Sequence, residues 1–446
     1  MSVRCIYQMY LRNFTPEGTI KAAMKMLGHI KGLGFDTIYL TAMQAADESP
    51  EGLSPRQLAS GTGNVKNPYR IKDYFAVDEE YGTMEDLKEF VKEAHKLDLK
   101  VLIDLVYLHC GKTAVFIEEN PDFVIRDESG GIKTGDEWPF ARFNYNNPEM
   151  REYLWSNMEF YIRDIKADGF RCDVADNIPL DFWVEGVKRV KKINPDVYML
   201  NEGSSSKSLC CFDTLYMFDL IHTLLNVFIC EKNCKRKVIY SHLADGAEYT
   251  ADSYVQVWKE AHKTIPVGAT LNDVENHDTV SDMGIYKLEC TIGNDGMEAV
   301  MALIFTLDGI PMIYNGCEVA DEGEKNMFWN RFCKDNMSIY WENALTPEGR
   351  RRMELIKELV RIRNANSAIN SGKLEWIEHN CRESVLAYSR EDDCDKVKVY
   401  VNVTCESRDV DYNSDGDEKI ILKNNASIES NKIKLLPYGY VIFSVN

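Results

Sequence analysis

The feature that most constrains the fold is an alternation of short β-rich runs with amphipathic helical stretches, which continues to about residue 370. The first unit has candidate strands at residues 5–10 and 36–41. Between them, one helical face is formed by Ile20, Met24, Leu27 and Ile30. Strands that alternate with helices are typical of an α/β fold with a parallel sheet.

The same alternation supplies eight candidate strands. After the first two, strands are predicted at residues 101–106, before Asp173, Glu202 and Phe218, and at residues 269–276 and 310–315. Thr83 and Asp86 predict a capping box at the start of a helix, and Thr346 and Pro347 begin the last helix of the series. Eight strand-and-helix units indicate a (β/α)8 TIM barrel with insertions.

The hydrophobic pattern changes after residue 370, where apolar residues occur at every second position. Residues 420–423 and 440–445 are further strand-like runs. The clearest alternation is that of Val397, Val399, Val401 and Val403. Alternation of this kind predicts a C-terminal antiparallel β domain.

The charge and cysteine content exclude several classes of protein. The 446 residues include 52 Lys and Arg against 71 Asp and Glu, a net charge of −19 that disfavours nucleic acid and anionic membranes as partners. The most apolar run, Ala299–Leu307, is too short to span a bilayer, and the N-terminal segment predicts no signal peptide. Thirteen cysteines without framework spacing indicate reduced thiols and a cytoplasmic protein.

Polar residues interrupt four of the candidate strands near their C-terminal ends. These residues are Asp104 and His109, Arg171 and Asp173, Asn201 and Glu202, and Asn276 with His277 and Asp278. A barrel gathers the C-terminal ends of its strands on one face, where its active site lies. We therefore expect the carboxylates, the arginine and the two histidines to converge there.

Two of these carboxylates suit the cleavage of a glycosidic bond. Such cleavage needs one carboxylate to attack or stabilise an oxocarbenium-like carbon, and a second, protonated one to release the leaving oxygen. Asp173 lies two residues after Arg171, so their side chains share a face and the guanidinium favours an ionised nucleophile. Glu202 has no basic residue adjacent in sequence, which predicts a raised pKa and a role as general acid.

The strand-end segments resemble the four signature regions of the α-amylase superfamily of glycoside hydrolases. The segments are DLVYLH (104–109), GFRCD (169–173), NEG (201–203) and ENHD (275–278). The resemblance extends over residues 1–370 and includes the segments at 6–14, 69–83, 143–150 and 309–318.

The resemblance implies a retaining mechanism on α-glucan oligosaccharides. Asp173 would be the nucleophile, Glu202 the acid/base, and Asp278 a partner for substrate hydroxyls. The substrate-binding residues would be Tyr69, which stacks on the sugar, with His109, Arg171 and His277. The supporting residues would be Asp73, Asp104 and Asn276.

The resemblance also predicts three domains. A catalytic barrel would comprise residues 1–107 and 147–370, and a short domain B would interrupt it at residues 108–146. A C-terminal β-sandwich would follow at residues 371–446.

Neither a cofactor nor a metal ligand is predicted. A structural calcium ion is disfavoured, because Leu108 and Arg142 stand where the family commonly has oxygen ligands. Residues 411–418 begin like a calcium loop at Asp411, Asn413, Asp415 and Gly416, but the twelfth position is Leu422. A hairpin turn is the favoured interpretation.

The substrate range is left open by the sequence. Asp176 and Asn177 replace the Lys-His pair that endo-acting α-amylases carry after the nucleophile, so the segment is closer to maltogenic and neopullulanase-like relatives. An exo-acting α-glucosidase or an α-glucan transglycosylase would use the same site. A non-catalytic transporter partner is the alternative from another class, and the presence of Asp173, Glu202 and Asp278 disfavours it.

Overall fold

The computed structural model describes residues 3–135, 138–238, 243, 246–335, 337–414 and 416–445. The chain divides into two compact units. The first comprises Met1–Leu215 and Lys325–Ile339, and the second comprises Tyr216–Glu324 and Tyr340–Asn446. The second unit thus contains the last two predicted barrel strands together with the C-terminal β structure.

The strands of the first unit are β1 (Ile6–Met9), β2 (Thr37–Leu40), β3 (Gln44–Ala46), β4 (Ile71–Val77), β5 (Lys100–Leu105), β6 (His109–Cys110), β7 (Ala141–Arg142), β8 (Gly169–Cys172), β9 (Tyr198–Asn201) and β10 (Thr214–Leu215). Those of the second are β11 (Leu271–Asn272), β12 (Ile310–Tyr314), β13 (Lys373–Trp376), β14 (Val385–Glu391), β15 (Lys396–Asn402), β16 (Arg408–Asp411), β17 (Glu418–Glu429) and β18 (Lys432–Val445).

The helices of the first unit are α1 (Leu11–Phe14), α2 (Ile20–Met24), α3 (Leu27–Leu33), α4 (Pro55–Ala59), α5 (Met84–Lys96), α6 (Pro148–Phe160) and α7 (Leu180–Ile193). Those of the second are α8 (Phe218–Ile229), α9 (Glu231–Cys234), α10 (Ala251–Ala261), α11 (His277–Met283), α12 (Leu288–Thr306), α13 (Pro347–Ala365) and α14 (Ser367–Ser371). Short 3-10 helices include Ala175–Asn177 and Ser206–Cys210.

The first unit is built on parallel strands in the order β10-β9-β8-β5-β2-β1. Their side chains are almost entirely buried, as expected for a parallel sheet covered on both faces. Helix α5 begins at the predicted capping box of Thr83 and Asp86. Its buried face consists of Leu87, Phe90, Val91 and Ala94, as the sequence predicted.

The second unit contains the parallel pair β11 and β12 and an antiparallel sheet. That sheet has the order β13-β14-β15-β18-β16, with β17 also paired to β18. Val397 of β15 packs with Ile362 and Ile369 from the helices, whereas Tyr400 packs with Phe443 in a separate cluster. Because both faces of the sheet are covered, β15 is buried at every residue after Lys396 rather than on one face only. The predicted antiparallel C-terminal β structure is confirmed.

Two local predictions are wrong. The helical face from Ile20 to Ile30 is interrupted, because α2 ends at Met24 and α3 begins at Leu27. The strands on either side of residues 411–418, β16 and β17, do not form the predicted hairpin, because in the described part of the chain each pairs with β18 and not with the other. Asp415, which belongs to that prediction, lies outside the described residues.

All thirteen cysteines are free thiols. Among the described residues, no helix combines the length and the apolarity needed to cross a membrane.

Candidate active site

Four of the predicted site residues of the first unit lie in or directly after three adjacent parallel strands. Asp104 in β5 is opposite Arg171 in β8, and Arg171 is in turn opposite Leu200 in β9. Asp173 follows β8 directly and Glu202 follows β9 directly. The strand register therefore places these four side chains at one edge of the sheet, although they are separated by up to 98 positions in sequence.

Arg171 links the three carboxylates. Its Nη1 donates to Asp104 Oδ1 at 2.9 Å and to Asp173 Oδ1 at 2.8 Å, and its Nη2 contacts Glu202 Oε1. The arginine side chain is fully buried, and the Asp173 and Glu202 side chains keep only 8% and 11% of their surface exposed. The predicted contact between Arg171 and Asp173 is therefore present in the structure. A buried cation beside a carboxylate favours its ionised form.

Asp104 fixes the position of the Arg171 guanidinium through one oxygen and is itself held through the other. Its Oδ2 accepts hydrogen bonds from the hydroxyls of Tyr39 at 2.6 Å and Tyr69 at 2.9 Å. Burial raises the pKa of Asp104, and the charge of Arg171 opposes that rise. The contacts fit the supporting role predicted for Asp104, and they add Tyr39, which the sequence analysis missed.

Tyr69 is tied to this group through its hydroxyl. Its ring lies 5.9 Å from the Arg171 guanidinium carbon and keeps 7% of the residue surface exposed. Stacking of Tyr69 on a sugar stays a prediction.

Glu202 has no basic residue adjacent in sequence, but the fold brings one into contact with it. Arg171 is 31 positions away in sequence but contacts the carboxylate, because β8 and β9 are neighbours in the sheet. Glu202 Oε2 also accepts the backbone N–H of Val174 at 2.7 Å. Both contacts stabilise the ionised carboxylate in the substrate-free protein.

His109 lies at the start of β6, beside the same edge. Its Nε2 lies 3.0 Å from the backbone oxygen of Tyr69, and its ring centre lies 4.8 Å from that of Phe140. Burial lowers the pKa of His109 to about 4. The imidazole is therefore neutral at physiological pH, when one ring nitrogen donates and the other accepts.

Asp73 lies on β4, where its Oδ1 accepts the N–H of Phe75 at 2.9 Å. The adjacent Tyr74 is fully buried, and its single O–H is shared between the carbonyl oxygens of Val106 and His109, each 2.9 Å away. Tyr74 thus braces the connection that follows β5.

In the second unit, Asn276 caps the helix that carries His277 and Asp278. Its Oδ1 accepts the N–H groups of Asp278 at 2.9 Å and Thr279 at 3.1 Å. The side-chain carboxylate of Asp278 has 38% of its surface exposed, and its Oδ2 lies 3.4 Å from His277 Nε2. Asn276 therefore supports the backbone on which Asp278 is presented.

Asp273 is a second residue that the sequence analysis missed. Its Oδ2 accepts a 2.9 Å hydrogen bond from the Asn276 side-chain amide, and it is almost completely buried. Burial raises its pKa to about 8. The only sequence signal was a carboxylate three positions before the cap residue, which is common on surface turns and therefore uninformative by itself.

The positions tested for a calcium ion do not fit one. Leu108 has no side-chain oxygen, and its backbone carbonyl accepts the N–H of Phe143. Arg142 pairs with His109 between β7 and β6 and brings a positive charge to the place where a ligand would be needed. Within the described ranges, no cluster of three or more His, Cys, Asp or Glu side chains has a metal-binding arrangement.

Comparison with known proteins identifies the family of this chain. The α-amylase catalytic-domain family model matches residues 8–129 and 136–355. A cyclomaltodextrinase of a Bacillus species is 26% identical over 417 residues, which are 86% of this chain and 65% of the relative. The intracellular maltogenic amylase of Bacillus subtilis is 24% identical over 410 residues, covering 86% of this chain and 61% of the relative. The chain thus spans less than two thirds of the length of these relatives.

The fold recurs in solved structures. The crystal structure of AmyB, a noncanonic maltogenic alpha-amylase of Thermotoga neapolitana, has a TM-score of 0.79 at 22% identity and covers 99% of this chain and 98% of that one. The predicted fold class, a (β/α)8 barrel followed by an antiparallel β domain, is confirmed. From its matched catalytic domain and its fold, this chain belongs to the α-amylase family of glycoside hydrolases.

Proposed function

We propose that this chain hydrolyses α-1,4-glucosidic bonds of maltodextrins with retention of anomeric configuration. Asp173 is the nucleophile, Glu202 the acid/base and Asp278 the partner of substrate hydroxyls at the transition state. The observation that carries the proposal is the Arg171 bridge between carboxylates at the ends of β5, β8 and β9. Membership of the α-amylase family supports the same chemistry.

The first step forms a bond between an Asp173 oxygen and the anomeric carbon while the bond from that carbon to the leaving oxygen breaks. Glu202 gives its proton to the leaving oxygen. Arg171 keeps Asp173 ionised before the attack, and Asp104 with its two tyrosine hydroxyls keeps Arg171 in place. Tyr69 and His109 lie beside this group and would contact the sugar.

The second step releases the sugar. Water attacks the anomeric carbon, its proton goes to Glu202, and the bond to Asp173 breaks. Glycosylation removes the negative charge of Asp173, which lowers the pKa of Glu202 and suits its change from acid to base. In the first step, a bound substrate must displace part of the ion pair between Arg171 and Glu202, so that the acid can be protonated.

Covalent trapping tests the nucleophile. A fluoro-glycosyl fluoride should label the peptide that contains Asp173, and Asp173→Ala should lower kcat/KM on the order of 10⁴-fold. The matched control is Asp181→Ala, which removes an exposed carboxylate paired with Arg151 and should leave the rate unchanged. Label on another peptide, or a first product of inverted anomeric form, would refute the assignment.

The substrate range is the second part of the proposal. A relative named cyclomaltodextrinase and another named maltogenic amylase support short linear and cyclic maltodextrins as substrates. An α-glucosidase or a transglycosylase would give a different product pattern. Digestion of maltoheptaose, with products resolved by length and anomer, should give maltose as the main early product. Release of glucose alone favours the α-glucosidase, and products longer than seven sugars favour the transglycosylase.

We also propose that the protein acts in the cytoplasm. Thirteen free thiols suit a reducing compartment, and one of the relatives is named as intracellular. Fractionation of the source cells should find the activity with cytoplasmic markers.

A further inference from the structure

The loop that carries Glu202 is hydrogen-bonded to the loop that follows the nucleophile, an attachment that we call the fastening. The residue that accepts these hydrogen bonds is Asp176, three positions after Asp173, in the 3-10 helix Ala175–Asn177. Its Oδ1 accepts from the side-chain amide of Asn201 at 2.9 Å. Its Oδ2 accepts the backbone N–H groups of Ser204 at 2.7 Å and Ser205 at 2.9 Å.

These hydrogen bonds enclose Glu202 from both sides. Asn201 precedes it, and Ser204 and Ser205 follow it, so the acid lies within the short segment that one carboxylate holds. Asn201 Nδ2 also donates to Ser208 Oγ at 2.8 Å, which ties the segment to the next 3-10 helix, Ser206–Cys210. A carboxylate that accepts backbone N–H groups is a strong, directional anchor.

The same contact explains Gly203. A Cβ added at this position would lie 2.4 Å from Asp176 Cγ, and its three nearest atoms would all belong to the Asp176 carboxylate. The backbone at Gly203 therefore lies directly against the Asp176 carboxylate, and a larger residue would displace that carboxylate from the position in which it accepts its hydrogen bonds. The segment from Asn201 to Ser205 and Asp176 thus fit each other as a pair.

We propose that Asp176 is a positioning residue that sets the place of the Glu202 carboxyl relative to Asp173. The inference rests on the proposed function, because it needs Glu202 to be the acid. The hydrogen bonds of Asp176 go to the segment that carries Glu202, so we expect its removal to affect proton transfer to the leaving oxygen most. The sequence had marked this position only because it departs from the Lys-His pair of endo-acting relatives.

The test compares two substrates through kcat/KM, which reports the glycosylation step. Maltoheptaose needs a proton on its leaving oxygen, whereas the fluoride of α-maltosyl fluoride leaves with little help. Asp176→Asn keeps the size of the side chain but has one acceptor oxygen instead of two and no negative charge, so it weakens the fastening, that is, the hydrogen bonds to Asn201, Ser204 and Ser205. We expect its kcat/KM to fall roughly tenfold or more on maltoheptaose and less than about threefold on the fluoride.

Gly203→Ala should give the same selective loss, because it displaces the same contact from the other side. In an Asp176→Ala background the obstructing carboxylate is gone, so adding Gly203→Ala should change the rate little further. This double-mutant cycle distinguishes a loss of rate caused by the contact between Asp176 and Gly203 from a loss caused by lower stability. Thermal unfolding of each variant measures the stability. The control is Asp127→Asn, whose carboxylate similarly accepts backbone N–H groups in a surface loop.

Glu202→Gln is the reference variant. It should lose maltoheptaose turnover selectively and regain turnover of the fluoride with azide; if it does not, the assignment of the acid fails, and with it the proposed function. Suppose that Glu202→Gln gives this result, but Asp176→Asn lowers kcat/KM equally for both substrates or for neither of them. Only the positioning role of Asp176 is then overturned. Additive effects of Asp176→Ala and Gly203→Ala would overturn it as well.

Discussion

At the scale of single residues, Arg171 shows how one buried cation organises several acids. Burying it is favourable only because it is surrounded by carboxylates, and the carboxylates in turn depend on it. The Asp104 oxygen that does not contact Arg171 accepts hydrogen bonds from two phenol hydroxyls, those of Tyr39 and Tyr69. Those hydroxyls are therefore part of the support of the catalytic group.

Removal of one hydroxyl measures that support. Tyr39→Phe should lower the free energy of unfolding by about 2 kcal/mol, because a bond to a charged group is lost in a site closed to water. Tyr145→Phe is the control, since its hydroxyl donates to the neutral carbonyl of Tyr107 at 2.7 Å and should cost only about 1 kcal/mol. Urea unfolding measures both. Equal losses would contradict the charge-assisted character of the Tyr39 bond.

Asp273 predicts a pH dependence of stability. Its pKa is raised by burial to about 8, so the folded protein keeps a proton that the unfolded chain loses near pH 4. The stability that this group contributes is complete below pH 4 and is lost as pH rises toward 8, by at most about 1.4 kcal/mol for each pH unit. Asp273→Asn resembles the protonated acid and should remove this loss.

The measurement is urea unfolding of wild type and Asp273→Asn at pH 5 and pH 8, where the advantage of the variant should be larger at pH 8. Asp127→Asn is the control, because its effect on the free energy of unfolding should be the same at pH 5 and pH 8. Hydrogen bonds from Ser129 and Gly131 lower the pKa of Asp127, so its contribution is complete at both pH values and is lost only on acidification below about pH 4. An advantage for Asp273→Asn that is the same at both pH values would argue against a buried neutral carboxyl.

At the scale of elements, the site depends on the close approach of β8 and β9. Gly169 begins β8, and a Cβ there would lie 2.1 Å from the carbonyl oxygen of Tyr198 in β9. A side chain at this position has to separate the strands that lead to Asp173 and Glu202. The absence of a side chain at Gly169 is thus a condition for the distance between the two acids.

Gly169→Ala should therefore destabilise the protein by about 3 kcal/mol or more, because the obstructing atom belongs to the backbone and cannot rotate away. Gly32→Ala is the control in helix α3, where nothing lies within 4 Å of the added Cβ. It should stabilise by about 0.5–1 kcal/mol through helix propensity. Thermal unfolding tests both, and a neutral Gly169→Ala would contradict the close approach.

The elements themselves were largely predictable from the sequence. Period and capping residues predicted β5 and α5 almost to the residue, because burial on a fixed face and the Thr83 cap are local signals. The break between α2 and α3 and the pairing of β16 and β17 with β18 were missed, because they depend on distant partners. The same limit applies to the site: strand ends indicated Asp173 and Glu202, whereas the contact between Arg171 and Glu202 required the strand order.

At the scale of the whole molecule, we expect activity and stability to be independent of a bound metal ion. The relevant segment is the connection that contains the short antiparallel pair β6 and β7. Leu108 and Arg142 remove oxygen ligands from the connection that contains this pair. Activity and melting temperature should therefore be unchanged after dialysis against EDTA. The control is dialysis against the same buffer with added calcium, and a loss that only calcium restores would refute the prediction.

The thiol distribution has a practical consequence. Of the thirteen free cysteines, only Cys210 and Cys394 are exposed, and Cys210 ends the 3-10 helix that follows the Glu202 segment. In a Cys394→Ser background, a thiol-reactive fluorophore should therefore attach first at Cys210. The native chain thus provides its own attachment point for a reporter dye eight residues from the proposed acid, and substrate binding can be followed by fluorescence without a newly introduced cysteine.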